Sequence, residues 1–441
     1  SGPGKMTSGM EAPLIFFELA AESPVGGVAE RRWRLYRKQV STCNFCESFA
    51  IEGDSCSRWS SDEKERASLD TNAISGQMPQ MIYLDYQATT PLAPEAREAM
   101  LRWLGDDGDS FANPASTHKA GRAAAAAVEV ARDQVAALLP RGGRVIFTSG
   151  ATEALNWALF CGARAMPGGV AGLSIEHAAS LQCLERLDAA ILPVDAAGLA
   201  LPPDVALIPE GGIVATMLVN NEVGTIQPVA DFAAAAHAKD SRLLCDAVQG
   251  FGRIAIPEGP DLIAVSAHKI HGPKGIGALW IRDGVDLPPL MLGGAQEQGL
   301  RSGTVSPALC AGFGAAAALA ADRLEVDAAH VERLWSLAMD MLPEWTINGA
   351  ESQRYHGNLN IRREGVNGLR LMSDARGVAF SLGSACGSGS GKVSHVLRAM
   401  GVSEADARAS IRLGWGRYTS EQALRDGLNA IKDAVRLQGV N

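Results

Sequence analysis

The chain has 441 residues, 47% of them hydrophobic and 20% charged, with 48 glycines and a formal net charge of −9. That length can bury a sizeable core over two or three domains, and the balance fits a soluble α/β protein rich in tight turns. The acidic charge and the lack of a dominant basic tract argue against a dedicated nucleic-acid binder, and no apolar run approaches the ~20 residues of a membrane span.

Residues 1–80 differ in texture from the rest of the chain. SGPGK resembles an expression scar; an apolar patch (PLIFF) and a basic cluster (RRWRLYRK, 31–38) come after it. The basic residues stand behind a run already broken by Glu18, the reverse of a secretory signal. Cys43 and Cys46 form a CxxC with Cys56 beyond, but three cysteines without a histidine fall short of four zinc ligands. A flexible appendage is expected, or an over-long gene start with Met78 or Met81 as initiator; a small partner-binding module is the alternative.

From Met81 the pattern becomes regular. IYLD (82–85) reads as a short strand, and the next segment as a helix with Pro94 near its start, where a missing N–H costs nothing. An alanine-rich helix comes next, with Ser116 or Thr117 as N-cap, then a strand, RVIFTSG (144–150), entering a glycine turn and a helix from about Thr152. Strand and helix signals alternate as far as IGALWIR, which implies right-handed crossovers and a mostly parallel sheet with helices on both faces. After about residue 322 the pattern is a long helix, short strands and a helical end. The expected architecture is therefore α/β, with a large domain over 95–322 and a smaller α+β domain built from 81–94 and 323–441.

Polar residues gather at the C-terminal ends of the predicted strands, where ligands bind in open α/β sheets. TSGATE (148–153) is a glycine turn into a helix, a ready phosphate site at Thr152 or else an ordinary capped turn. Asp246 ends the apolar LLCD as a buried carboxylate or a helix cap, with Gln249 three residues on; His177 comes after LSIE. Lys269, in SAHKIHGPKGIG (266–277), stands after an apolar strand and is closed in by glycine and proline. Desolvating its ammonium is costly unless it is paired, neutralised or turned to chemistry, which suggests a Schiff-base lysine; a surface lysine in a turn between two strands is the alternative. Together these features ask for a phosphate, a protonated ring nitrogen and a carbonyl. Pyridoxal 5'-phosphate has all three.

Eight cysteines are too few for a disulfide framework in a chain this long and point to a reducing compartment, the cytoplasm by default. Cys161, Cys183, Cys245 and Cys310 read as buried free thiols. Cys386 differs: it sits in GSACGSGSG (383–391), a composition that keeps a loop mobile and a thiol uncovered.

YLDYQATTPL, NPASTH, FTSGATEALN, EH, VNNEVGTIQP, DAVQ, SAHKIHGPKGIGALWIR, RSGT, GSAC and SIRLGWGRYT occur in this order over roughly 81–435. In this the chain resembles the NifS/IscS-like cysteine desulfurases of the class V aminotransferase superfamily. The resemblance implies the type I fold of pyridoxal-phosphate enzymes, with a seven-stranded-type sheet and a small domain carrying the catalytic cysteine loop. It implies that Lys269 bonds the cofactor aldehyde, Asp246 pairs with the ring nitrogen and His177 stacks on the ring. Asn221 and Gln249 would contact ring substituents. Ala151, Thr152, Ser266 and His268 would surround the phosphate, joined by Thr304 from a second subunit, so the homodimer would share its active site. Arg412 would grip the substrate carboxylate, assisted by Asn113 and Asn221, and Cys386 would carry sulfur from L-cysteine to a protein acceptor of iron–sulfur or thiolation pathways. No metal is implied.

The chain departs from the housekeeping pattern in reading SACGSGS for SACTSAS, and in ending at Asn441, before the tail that helps dock an iron–sulfur scaffold. A selenocysteine lyase or cysteine sulfinate desulfinase would keep the same site, an aminotransferase would have no use for Cys386, and a non-catalytic partner-binding subunit is the alternative of another class.

Overall fold

Short apolar runs supply the strands of the main sheet. The structure, a computed structural model, describes residues 81–200, 206–383 and 393–440. Beyond β1 (Ile82–Tyr83), the strands are β2 (Gly143–Thr148), β3 (Val170–Leu173), β4 (Ala190–Leu192), β5 (Ile213–Met217), β6 (Arg242–Asp246), β7 (Leu262–Ser266) and β8 (Gly277–Arg282). These last seven form one sheet in the order β2-β8-β7-β6-β5-β3-β4. All its neighbours are parallel except β8, which runs antiparallel to both β2 and β7.

Every residue of β5 and β7 is buried, which explains why IVATM and LIAVS are nearly unbroken apolar runs rather than alternating ones. Successive side chains still go to opposite faces. Leu262 and Ala264 pack with Ala154, Leu155 and Leu184 of helices Ala151–Ala165 and Ala178–Arg186. Ile263 and Val265 face the other way, among Val128, Phe232 and Phe313 of helices Lys119–Ala136, Val229–His237 and Pro307–Met341.

A second sheet, of four strands, has the order β12-β13-β10-β9, where β9 is Thr346–Ile347, β10 Asn358–Arg362, β12 Ser381–Leu382 and β13 Ser410–Gly414. β11 (Val378–Ala379) pairs in parallel with β1, so the first strand joins the C-terminal part of the chain. Helix Glu421–Arg436 buries Leu424, Leu428, Ile431 and Val435, one stripe at helical spacing, in a separate core with Leu359, Ile411 and Trp415.

Two local expectations change. His118, not Ser116 or Thr117, caps helix Lys119–Ala136, its Nδ1 accepting from the Gly121 N–H at 3.2 Å. The ring nitrogen supplies the acceptor that hydroxyls usually provide. Helix Pro307–Met341 runs unbroken for 35 residues through position 322, where the sequence pattern changes character.

Candidate active site

The C-terminal ends of β5, β6 and β7 open into a cavity of about 680 Å³, lined by His177, Asn221, Asp246, Gln249, Lys269 and Arg412 among others. Ala151, Thr152, Ser266 and His268 also line it. Ten of the expected site residues thus meet in one place, drawn from segments that are far apart in the chain.

The parallel register explains the convergence. Asp246 is the last residue of β6, opposite Met217 at the end of β5, and Ser266 ends β7 opposite Gly277. Lys269 comes next, within the turn of 3-10 helix Ala267–Lys269. A Cβ on Gly277 would lie 2.5 Å from the Val265 carbonyl oxygen and 2.7 Å from the Gly150 Cα, so glycine there lets the Gly150 turn and the start of β8 approach closely.

Lys269 Nζ donates to the carbonyl oxygens of Gln87 and, at 2.9 Å, of Ala88. Burial lowers its pKa to about 7, with the cations Arg253 and Arg412 adding to the effect and Asp246 and Asp85 opposing it. The amine is therefore largely uncharged just above neutral pH, the form that attacks a carbonyl. Asp246 is buried and accepts from the Val248 N–H at 3.0 Å. Burial raises its pKa, while His177 and Lys269 hold it down. A buried carboxylate facing this cavity suits a cationic ring nitrogen.

Helix Ala151–Ala165, whose first residues also line the cavity, begins with Gly150 as its N-cap and no side-chain cap, leaving N–H groups for an anion. Lys274 and Gly275 also line the cavity. His268 Nδ1 lies 3.1 Å from Thr89 Oγ1, and burial, then Lys269, lowers the ring to about 4, so it stays neutral. Gln249 is held at both ends of its amide, donating to the Gln87 carbonyl at 3.0 Å and accepting from Arg253 at 2.8 Å. His177 is exposed, and its Nδ1 caps helix Ala178–Arg186 through the Ala179 N–H.

Asn113 and Thr304 lie elsewhere. Both are exposed and line a different cavity, of about 360 Å³, beside Glu297 and Arg132. Cys386 lies outside the described residues, as do all expectations for residues 1–80. The four cysteines expected to be buried free thiols are so.

Sequence reasoning assigns no role to Gln87, Ala88 and Thr89 individually, although they fall within YLDYQATTPL; the available signal is a polar, irregular run directly after a short strand. Glu153 is also missed. It accepts from the Ser149 N–H and pairs with Arg301 at 2.8 Å, tying the RSGT segment to the start of the anion-facing helix.

A model of the family described as Aminotransferase class-V matches residues 82–425. A protein of Rickettsia bellii (strain OSU 85-389) named cysteine desulfurase IscS is 40% identical over 367 residues, 78% of this chain and 88% of that protein. Among solved structures, one titled NifS-like protein superposes with a TM-score of 0.74 at 30% identity, over 81% of this chain and 100% of its own. Another, titled SspA in complex with cysteine, has a TM-score of 0.65 at 32% identity, over 77% of this chain and 99% of its own.

Proposed function

The chain belongs to the aminotransferase class-V family, and on that premise we propose that it is a cysteine desulfurase, an enzyme that takes the sulfur of L-cysteine, leaves L-alanine and passes the sulfur on through Cys386. The observation that carries this reading is the convergence of Lys269, Asp246, His177 and Arg412 on one cavity with an anion-facing helix start.

The donor set fits pyridoxal 5'-phosphate: a near-neutral lysine, a buried carboxylate on a neighbouring strand, and uncapped N–H groups at a helix start lining the same cavity. Ala151, Thr152, Ser266 and His268 would hold its phosphate, Asp246 its ring nitrogen, and Asn221 and Gln249 its ring substituents. When bound, it would supply an aldehyde for the substrate amine and an electron-withdrawing ring beside the substrate Cα.

Lys269 is then the base that takes the Cα proton and returns it, a role for which a pKa of about 7 is well placed. His177, exposed at the mouth, moves protons to and from solvent. Arg412 binds the substrate carboxylate. The Cys386 thiolate attacks the substrate sulfur: an S–S bond forms, the Cβ–S bond breaks, and its electron pair stays with the carbon that is protonated to give alanine.

Thr304 acts across a homodimer on the site of a second copy, in keeping with its place outside the main cavity. Residues 95–322 form the cofactor domain, and 81–94 with 323–441 the smaller one; the seven-stranded sheet falls in the first and the four-stranded sheet in the second. No helix of the described residues is long and apolar enough to cross a membrane, and the buried free thiols suit a reducing cytoplasm. The sulfur acceptor is a protein.

The test is alanine formation from L-cysteine by protein reconstituted with the cofactor. Equimolar alanine and transferred sulfur are expected, and loss of both in Lys269→Ala. A protein that forms pyruvate and ammonia instead would contradict the reading.

A further inference from the structure

Arg412 is held by three groups. Its Nη2 donates to Asp85 Oδ1 at 2.8 Å and to Ser381 Oγ at 2.9 Å, and its Nη1 donates to the Asn221 carbonyl oxygen at 3.0 Å. Ser381 Oγ also donates to Asp85 Oδ1 at 2.9 Å, so the three side chains close a triangle. The sheet builds it: Ser381 on β12 is the register partner of Arg412 on β13, and Asp85, just after β1, bridges to Gly414 two residues further along. The Arg412 and Asp85 side chains are only 11% and 17% exposed.

Arg412 lines the cavity, whereas Asp85 and Ser381 do not. A long, flexible side chain loses rotamer entropy when a substrate fixes it, and a pairing already made in the free enzyme removes that cost. The carboxylate also neutralises a cation that would otherwise sit unpaired beside Lys269.

We propose that Asp85, steadied by Ser381, is a positioning residue that presets the Arg412 guanidinium for the carboxylate of the amino-acid substrate. This rests on the reading of Arg412 as the carboxylate-binding residue. On the substrate carboxylate Asp85 acts through Arg412, and it confers selectivity for α-amino acids over amines of the same length.

The test compares L-cysteine with cysteamine, which has the amine and thiol but no carboxylate, in the reconstituted enzyme. Each ligand's affinity is read from the change in cofactor absorbance, which needs no turnover. Asp85→Asn should weaken L-cysteine about tenfold, as expected for a charge-assisted hydrogen bond, and leave cysteamine unchanged. KM for L-cysteine should rise while kcat changes far less, and Ser381→Ala should give a smaller shift of the same kind. Equal weakening of both ligands by Asp85→Asn would overturn the proposal, and so would tighter L-cysteine binding, which would make Asp85 a competitor of the substrate. Arg412→Gln is the separate control: if it keeps the preference for L-cysteine, the reading of Arg412 itself fails, whatever Asp85 does.

Discussion

Lys269 Nζ donates to the Ala88 carbonyl oxygen at 2.9 Å, so the amine is held by main-chain acceptors and not by a carboxylate. Carbonyls satisfy N–H groups of either protonation state, whereas an ion pair would fix the charged one. Burial can therefore lower the pKa to about 7.

Cofactor capture should therefore depend on pH. In the cofactor-free protein, the rate of combination with pyridoxal 5'-phosphate should rise through pH ~7 and level off above it. Stopped-flow absorbance would give the profile, and an inflection near the ordinary lysine value of 10.5 would contradict it. The same shift acts on stability. Between about 7 and 10.5 the unfolded chain binds the extra proton, so stability rises with pH in that window. Below it the cost of the buried charge is fully present. Lys269→Met should flatten the rise in a urea-unfolding series.

Glu176 has the opposite sign. It is fully buried, and neither carboxyl oxygen has a hydrogen-bond partner among the described residues; the Met217 N–H and Ser180 hydroxyl are near but out of bonding geometry. Burial first, and then the charge of Asp246, push its pKa well up, so it is held as the neutral acid. The folded state keeps a proton that the unfolded state loses above its ordinary value of 4.5, and stability falls as pH rises beyond that point. Glu176→Gln should fold normally and lose this fall, read as thermal midpoint against pH. An unfolded Glu176→Gln would mean that the ionised form is needed.

Arg132 and Glu297 form the buried pair beside the cavity that Asn113 and Thr304 line, at 2.7 Å, with side chains 13% and 2% exposed. Glu297 also accepts from the Phe147 N–H at 2.7 Å, and it sits in a loop where it and Gln298 have φ of 49° and 59°. Those left-handed residues are strained and need outside support. Glu297→Ala leaves Arg132 with the exposed Glu129 as its remaining carboxylate partner and orphans the Phe147 N–H, at a cost of about 2–3 kcal/mol by urea unfolding. A change under ~1 kcal/mol would show that Glu129 alone suffices to hold Arg132.

Much of this is legible in the sequence because the parallel sheet writes itself in continuous apolar runs, and β6 and β7 end at Asp246 and Ser266. The alternation of faces along β7 is not legible, since Leu262, Ile263, Ala264 and Val265 are apolar on both sides. The pairing of Asp85 with Arg412 is also hidden, because it joins residues 327 positions apart through a sheet whose strands are two to five residues long. His118 escapes notice as a cap because hydroxyls stand just before it. The motif YLDYQATTPL does not reveal that its carbonyls hold the lysine, since main-chain acceptors leave no mark on residue type.

The central claim is that sulfur leaves L-cysteine by way of Cys386. The most direct measurement is mass spectrometry of the peptide carrying Cys386 after the reconstituted enzyme meets L-cysteine without reductant. One added sulfur on Cys386 is predicted, lost on adding a thiol acceptor and absent in Cys386→Ala, which should retain its cofactor absorbance. Full sulfur transfer by Cys386→Ala, or the added sulfur on another cysteine, would contradict the account.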